Sequence, residues 1–445
     1  MKIVIAGAGE VGSHLAKLLT TEDKDIMVLD SDPSRLNILD ANYNLMTMEG
    51  NPSSIAAQRS ARVGGCDLFI AVQPSENDNI VACSIAKNLG ARTTVARISG
   101  YDFMQKENRD VVRRMGVDHL IYPEYLAAGN IVTALKYPWV RNWFELHDGK
   151  IIVVGVKLRQ GAPVAGMPLR EFASRIHNFH VCAIRRGNNI IIPRGNDSLM
   201  TDDIVYMATL PGYTDELREL AGKRDYHVRR VMIMGGGKIT ARFVAMAPDD
   251  LRIKIIDNDE EVCRHLPERC PDCEISYGDA RNTDLLLEEG VSECEAFIAL
   301  SGSSEANILA CLSAKELGVR KTIAEVENLQ YIAPAENLNI GTIINKKLLA
   351  SAAIFQLMLD ADSTTPKCLA LADAEVAELE ARPGSKIIGK PVRSISILSS
   401  ITLAAMVSRD GEGKLITGDT VIEAGDHVVV FCLTGSLHKA EKLFS

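Results

Sequence analysis

The chain has 445 residues, about three times a usual single-domain length of roughly 150, so several domains are expected. Its composition, 47% apolar, 24% charged and 5% aromatic, is that of a soluble globular protein. A net charge of −9 argues against a nucleic-acid binder or a polybasic membrane-surface binder, and the longest helix-compatible apolar stretch, Leu348 to Leu359, falls short of the roughly 20 residues of a membrane span.

The opening MKIVIAGAG is too short an apolar run for a signal peptide and leads straight into a glycine motif. With ten scattered cysteines and no secretion signal, the thiols are expected to be reduced and the chain cytoplasmic. The strand KIVIA runs into Gly7, Gly9 and Gly12, a G-x-G-x-x-G pattern, and Leu15, Leu18 and Leu19 stripe the helix that follows. The next strand, IMVLD, ends in Asp30. This is a dinucleotide-binding layout: one glycine for the tight turn, one for close approach of a pyrophosphate, one for helix–strand packing, and a carboxylate for ribose hydroxyls. Further strands are predicted at Leu45 to Met48, Leu68 to Val72, Thr94 to Ile98 and His119 to Tyr122. After a linker at Val140 to Asn142 come short β-branched runs punctuated by Gly, Asn and Asp, which read as hairpins and a small sheet.

After a second linker, Gly222 to His227, the chain repeats itself. KIVIAGAGEVGSHLAKLL aligns with RVMIMGGGKITARFVAMA at an offset of 228, and Cys66 to Ile98 aligns with Cys294 to Val326 at 16 identical positions of 33. The small unit also recurs, Gly161, Gly166 and Pro168 matching Gly384, Gly389 and Pro391. The predicted fold class is therefore α/β, with two Rossmann-like domains (1–139 and 228–360), each followed by a small α/β lobe (140–222 and 365–445). A third linker is read at Ala361 to Lys367.

The second copy keeps Gly235, Gly237 and the acid Asp257, but has Thr240 in place of the third glycine. Acids at Asp30 and Asp257, rather than an arginine, should reject a 2′-phosphate and favour NAD(H) or ADP/ATP over NADP. The residues entering the helix are Glu10 and Lys238, and those ending the fifth strand are Arg97 and Glu325. This exchange suggests that each crevice holds one acid and one base.

In this A–B–A′–B′ order the chain resembles the regulatory subunits of Trk potassium-uptake systems, whose modules are called KTN or RCK N-terminal and RCK C-terminal domains. The carriers are IAGAGEVG with VLD at Asp30, DLFIAVQPSENDNIVACSIAK, GDARNTDLLLEEGV, FIALSGSSEANILA and IEAGDHVVVF. The resemblance implies a non-enzymatic, cytosolic gating subunit that binds NAD(H) and adenine nucleotides. It would dock on a separate membrane-embedded potassium-translocating subunit, at the inner face of the cell membrane. Carried over by position, the first site comprises Gly7, Ala8, Gly9, Glu10, Val11, Gly12, Asp30, Asn51, Gln73, Pro74 and Arg97. The second comprises Gly235, Gly236, Gly237, Lys238, Ile239, Asp257, Asp279, Ser301 and Gly302. Pro74 departs from the pattern, because it has no N–H to offer a ligand, and Asn51 stands where the second copy has Asp279.

Apolar residues on the helix after each last strand (Ala127, Ile131 and Leu135; Leu349, Ile354, Phe355 and Met358) suit pairing of Rossmann units, and two units per chain suit a ring built from a dimer or tetramer of chains. Cys263, His265, Cys270 and Cys273 could be drawn as a zinc site, but only one Cys-x-x-Cys pair exists and the first copy lacks its counterpart. His177 and His180 read as a solvated face, and Cys83 and Cys311 as small hydrophobes at one repeat position. The competing readings are an NAD-dependent oxidoreductase, for which the small lobes show no convergent His/Lys/Asp set, and a nucleotide sensor of another cation channel or antiporter.

Overall fold

The computed structural model describes residues 1–20, 24–187, 189–361, 367–371, 374–397, 399–433 and 435–444. Of the third expected linker, residues 362–366 lie outside the described residues, as does the side chain of Met358. Four sheets are present. The first is wholly parallel and built from β1 (Lys2–Ala6), β2 (Asp25–Asp30), β3 (Met46–Glu49), β4 (Leu68–Ala71), β5 (Thr93–Arg97) and β6 (His119–Ile121). Its order is β3-β2-β1-β4-β5-β6, the doubly wound arrangement. The second sheet is antiparallel, ordered β10-β9-β11-β8-β7, from β7 (Asn142–Leu146), β8 (Ile151–Lys157), β9 (Phe179–Arg186), β10 (Asn189–Ile191) and β11 (Ile204–Thr209).

The third sheet repeats the first in the order β14-β13-β12-β15-β16-β17, from β12 (Arg230–Met234), β13 (Arg252–Asp257), β14 (Glu274–Tyr277), β15 (Ala296–Ala299), β16 (Lys321–Glu325) and β17 (Thr342–Ile344). The fourth, ordered β18-β19-β22-β20-β21, comprises β18 (Lys367–Leu371), β19 (Ala374–Glu380), β20 (Ile401–Val407), β21 (Gly413–Leu415) and β22 (His427–Leu433).

The central strands of both parallel sheets are buried along their length, as uninterrupted runs such as LFIA and AFIA require when helices cover both faces. Helix Glu76–Leu89 starts at Ser75, whose side chain accepts from Asp78 N, and stops at Gly90 with φ +108°. Its counterpart Ser304–Glu316 is capped in the same way by Ser303. Cys83 and Cys311 sit on the buried faces of these helices, each Sγ 3.4 Å from a carbonyl of the neighbouring strand. Burial pushes both thiols up, Cys311 to about 12.

The compact units do not follow the repeat boundaries. One comprises 1–127 with 345–365, the other 128–344 with 366–445. In the first unit, helix Lys346–Ala361 packs against helix Glu10–Thr20, burying Ile354 and Phe355. The helix that follows the second parallel sheet in sequence therefore covers the first. In the second unit the two small lobes share a core, in which Ile151, Val153, Tyr206 and Ala208 meet Val376, Ala405, Val429 and Phe431.

Two expectations are corrected there. Val140 and Arg141 are not a free linker. Val140 is 4% exposed, its carbonyl accepts from Lys321 Nζ at 3.1 Å, and the Arg141 guanidinium donates to Gly341 O and Asn339 Oδ1. His180 is not a solvated side chain either. Its Nδ1–H donates to Ile416 O at 3.0 Å across the lobe seam, Nε2 lies 3.4 Å from Thr402 Oγ1, and burial lowers its pKa. A short motif carries no trace of a partner more than 200 residues away.

Candidate nucleotide-binding crevices

In a doubly wound sheet a crevice opens at the carboxyl ends of the strands where the order reverses, here between β1 and β4. Gly7 follows β1 with φ +113°, a conformation that favours glycine. A Cβ on Gly12 would stand 1.9 Å from Gly7 O, so the helix can enter this closely only with hydrogen at that position. A Cβ on Gly9 would meet nothing within 4 Å. The three glycines thus divide their work as the motif requires, and the middle one faces open space.

Asp30, 7% exposed, organises the loop: Oδ2 accepts from Ala8 N at 2.5 Å and Oδ1 from Asp32 N at 2.8 Å. The first turn of helix Glu10–Thr20, with Glu10, Val11 and Gly12, leaves backbone N–H groups at this end, where an anion is favoured. Gln73, just after β4, lies beside Gly7, and its Nε2 is buried without a hydrogen-bond partner. An orphaned donor and an open glycine cradle both fit a polar ligand. Asn51 follows β3 and turns back on its own loop, its Oδ1 accepting from Ser53 N, while Pro74 is exposed beside Gln73.

Asn79, fully buried, was not foreseen. Its Oδ1 accepts from Gln73 N at 2.8 Å, and its Nδ2 donates to Gln73 O and Arg97 O, both at 2.9 Å. It ties the end of β4 to the end of β5 and so sets the rim holding Gln73 and Arg97. Asn307 does the same in the second copy, with Ser301 N, Ser301 O and Glu325 O. The signal was available: Asn stands four residues after the capping serine in both copies.

The second crevice matches the first in outline. Asp257 accepts from Gly236 N at 2.6 Å and Asp259 N at 2.8 Å, and positions 237 and 302 open onto free space. Gly236 itself is hemmed in by Leu266 and Val262. Lys238 is exposed at the start of its helix and Ile239 is buried behind it. Thr240 stands at the position of Gly12 and donates from Oγ1 to Gly235 O at 2.5 Å, so the second copy accommodates there a Cβ that the first could not. Asp279 is held by Arg281, which contacts both carboxylate oxygens and keeps the carboxyl below its usual range.

The acid of the first crevice has its ionic partner on another helix. Glu10 pairs with Lys347 of helix Lys346–Ala361, and no ion pair joins it to Arg97 among the described residues. Lys347 is mostly buried against the helix it serves, and the repeat alignment could not bring it to position 10.

One feature of the second unit has no trace in any motif. A cavity of about 810 Å³ is lined by eight basic and two acidic side chains. At its heart Lys321 is 4% exposed, with Lys223, Lys315 and Arg141 nearby. Burial, reinforced by the neighbouring cations, lowers Lys321 and Lys223 to about 7 and Lys315 to about 8.

Cys270 and Cys273 face each other, whereas His265 points to Glu261 and Glu268 on its own helix. No described helix is long and apolar enough to cross a membrane.

Comparison with known proteins agrees with this architecture. The TrkA-N domain model matches residues 3–123 and 231–346, and the TrkA-C domain model matches 153–222 and 376–445. A Trk system potassium uptake protein TrkA from Halomonas elongata is 30% identical over 455 aligned residues, covering 100% of this chain and 98% of the relative. The protein of that name from Azorhizobium caulinodans is 28% identical over 452, with the same coverage. Among solved structures, the GsuK RCK domain superimposes with a TM-score of 0.60 at 15% identity, over 100% of this chain and 94% of that one. The GsuK channel bound to NAD gives 0.60 at 15% identity, over 100% and 78%. The chain belongs to the family of tandem TrkA-N and TrkA-C domain proteins.

Proposed function

We propose that this protein is a nucleotide-responsive regulatory subunit of a Trk-type potassium uptake system, acting on the cytoplasmic side of a separate membrane-embedded translocating subunit. The observation that carries the nucleotide reading is the first crevice. A buried ribose-type carboxylate, Asp30, an open glycine at position 9, a helix N-terminus and the orphaned Gln73 amide converge there. NAD(H) is the expected ligand, with its adenosine ribose at Asp30 and its pyrophosphate at the Gly7–Gly12 loop. ATP or ADP would use the same subsites. The second crevice offers the same open glycine at position 237.

Full-length similarity to proteins named for Trk potassium uptake supports the potassium role. Similarity along the whole chain to proteins named for potassium uptake favours a sensor over an oxidoreductase. A ligand shifts a conformational equilibrium only by its differential affinity for the two states. Exchange of NADH for ATP or ADP would therefore gate the partner by favouring different packings of the helices that end each Rossmann sheet. Two parallel sheets per chain suit assembly of two or four chains into a ring.

The deciding experiment is potassium flux through the translocating subunit reconstituted with this protein, in the presence of NADH, ATP, ADP or no nucleotide. Flux that differs among these conditions, and loses the difference in Asp30→Ala protein, is expected. Flux indifferent to all of them refutes nucleotide gating.

A further inference from the structure

The two small lobes meet near three side chains that neither crevice uses. His147 lies in the hairpin between β7 and β8, where His147, Asp148 and Gly149 all have positive φ. Lys150 N donates to His147 O at 3.2 Å, closing a turn on Asp148–Gly149, a pair suited to left-handed backbone. The hairpin delivers His147 to the second lobe. There Glu378, on β19, has its side chain 4% exposed, and its Oε1 lies 2.7 Å from His147 Nδ1 and 3.2 Å from His427 Nδ1. The two imidazole rings stand 5.1 Å apart and tilted at 52°.

Glu378 Oε2 is buried with no hydrogen-bond partner, and among the described residues Glu378 forms ion pairs only with the two histidines. A buried carboxylate with an unused oxygen and no Lys or Arg partner is costly unless a cation completes it.

The geometry points to a divalent first-row transition-metal site, best suited to Zn²⁺, formed by His147, Glu378 and His427. One ligand atom from each falls within 4.8 Å of the others. Tetrahedral zinc with bonds of about 2.0–2.2 Å holds its ligand atoms roughly 3.3–3.6 Å apart, so a cation enters with movements on the order of 1 Å. The carboxylate is a hard donor, but the two imidazoles are borderline nitrogen donors, and they select zinc over the hard cations calcium and magnesium. With three protein ligands a fourth position stays open to water. Glu380 lies on the same face of β19 as Glu378 and pairs in register with His427, so a second carboxylate borders the site.

The site belongs to one lobe pair and is not a property of the fold. In the first lobe the positions matching Glu378 and His427 in the strand register are Gly155 and Ile204, neither of which can ligate. The metal would join a hairpin of the first lobe to strands of the second, bracing the shared core of the two lobes.

Chelator-stripped full-length protein carrying Cys270→Ser and Cys273→Ser, which removes the competing thiol pair, is titrated with Zn²⁺ and separately with Co²⁺. One zinc per chain is expected. The cobalt form should show d–d absorption without a thiolate-to-metal charge-transfer band. Adding His147→Ala or His427→Ala should weaken zinc about 100-fold or more, at least as much as losing a partner that merely orients a ligand. Thermal unfolding should rise with zinc only when both histidines are present. No zinc taken up by the double-serine protein, or wild-type affinity kept without either histidine, overturns the assignment. The cobalt spectrum is read with the site intact, so it decides even if a histidine variant does not fold.

Discussion

Lys321 permits a prediction in which the sign, as well as the size, follows from the structure. It is buried in the wall of a basic cavity, and its pKa falls from 10.5 to about 7, first through burial and then through Arg141, Lys223 and Lys315. Carrying its charge when folded costs on the order of 5 kcal/mol. Below about pH 7 the lysine is protonated in both states and the cost is fully present. Between about pH 7 and 10.5 the unfolded chain binds more protons, so stability must rise with pH, with a slope approaching about 1.4 kcal/mol per pH unit. Integrated from about pH 6.5 to 8.5, Lys321 alone contributes about 2 kcal/mol of added stability.

The perturbation is Lys321→Met, which keeps most of the length of the side chain and removes the charge. It also strips a donor from Val140 O and Thr342 Oγ1, a cost of about 1–3 kcal/mol that does not change with pH. Absolute stability is therefore a poor readout and the slope a good one. Urea unfolding of both proteins at fixed ionic strength, across about pH 6.5 to 8.5, should show the wild type gaining about 2 kcal/mol more than the variant. The window stops short of pH 9, because thiols such as Cys311, raised when folded, make stability fall as the unfolded chain loses those protons. Equal slopes in the two proteins would mean that Lys321 is neither buried nor crowded by cations as described.

Gly12→Ala should cost about 1–3 kcal/mol in thermal or urea unfolding, since its methyl would press on Gly7 O; unchanged stability would show that the loop relaxes freely. Asn79→Ala deletes three hydrogen bonds of a buried side chain and Asn307→Ala four, about 3–4 kcal/mol, and the first should also weaken NADH measured by calorimetry. Asp30→Ala should weaken NADH at least tenfold while leaving binding at the second crevice in place. NADPH should bind the wild type at least tenfold more weakly than NADH, about 1.4 kcal/mol, because its 2′-phosphate would meet Asp30. Glu10→Ala should change stability by less than about 1 kcal/mol, since Glu10 is exposed where it pairs with Lys347.

The Rossmann units were legible because their signals are local. A strand, a glycine turn, a striped helix and an acid all fall within the first 30 residues, and the repeat doubled each signal. Predicted strands differ from those formed by only a residue or so, as with Leu68 to Val72 against Leu68–Ala71. What escaped notice depends on residues distant in sequence. Lys347 reaches Glu10 because a helix from the end of the second copy lies on the first helix of the chain. Arg141, read as linker, is fastened to Gly341 and Asn339. No periodicity encodes such pairs, because they arise only when sheets pack.

The duplication also set a subtler limit. Aligning two copies encourages the expectation that equivalent positions do equivalent work, and for Asn79 and Asn307, or Ser75 and Ser303, they do. These residues hold strands and helices together, a requirement that both copies share. The differences fall where the copies face something other than themselves. Thr240 hydrogen-bonds to Gly235 O where the first copy has Gly12, and Glu378 and His427 stand where the first lobe has Gly155 and Ile204. The basic cavity draws its lysines from both a small lobe and the second parallel sheet. A chain of net charge −9 can therefore hold one strongly cationic chamber, because the total sums over surfaces while burial acts on particular groups. In a repeated protein the shared residues specify the fold, and the residues that break the repeat mark where each copy has acquired chemistry of its own.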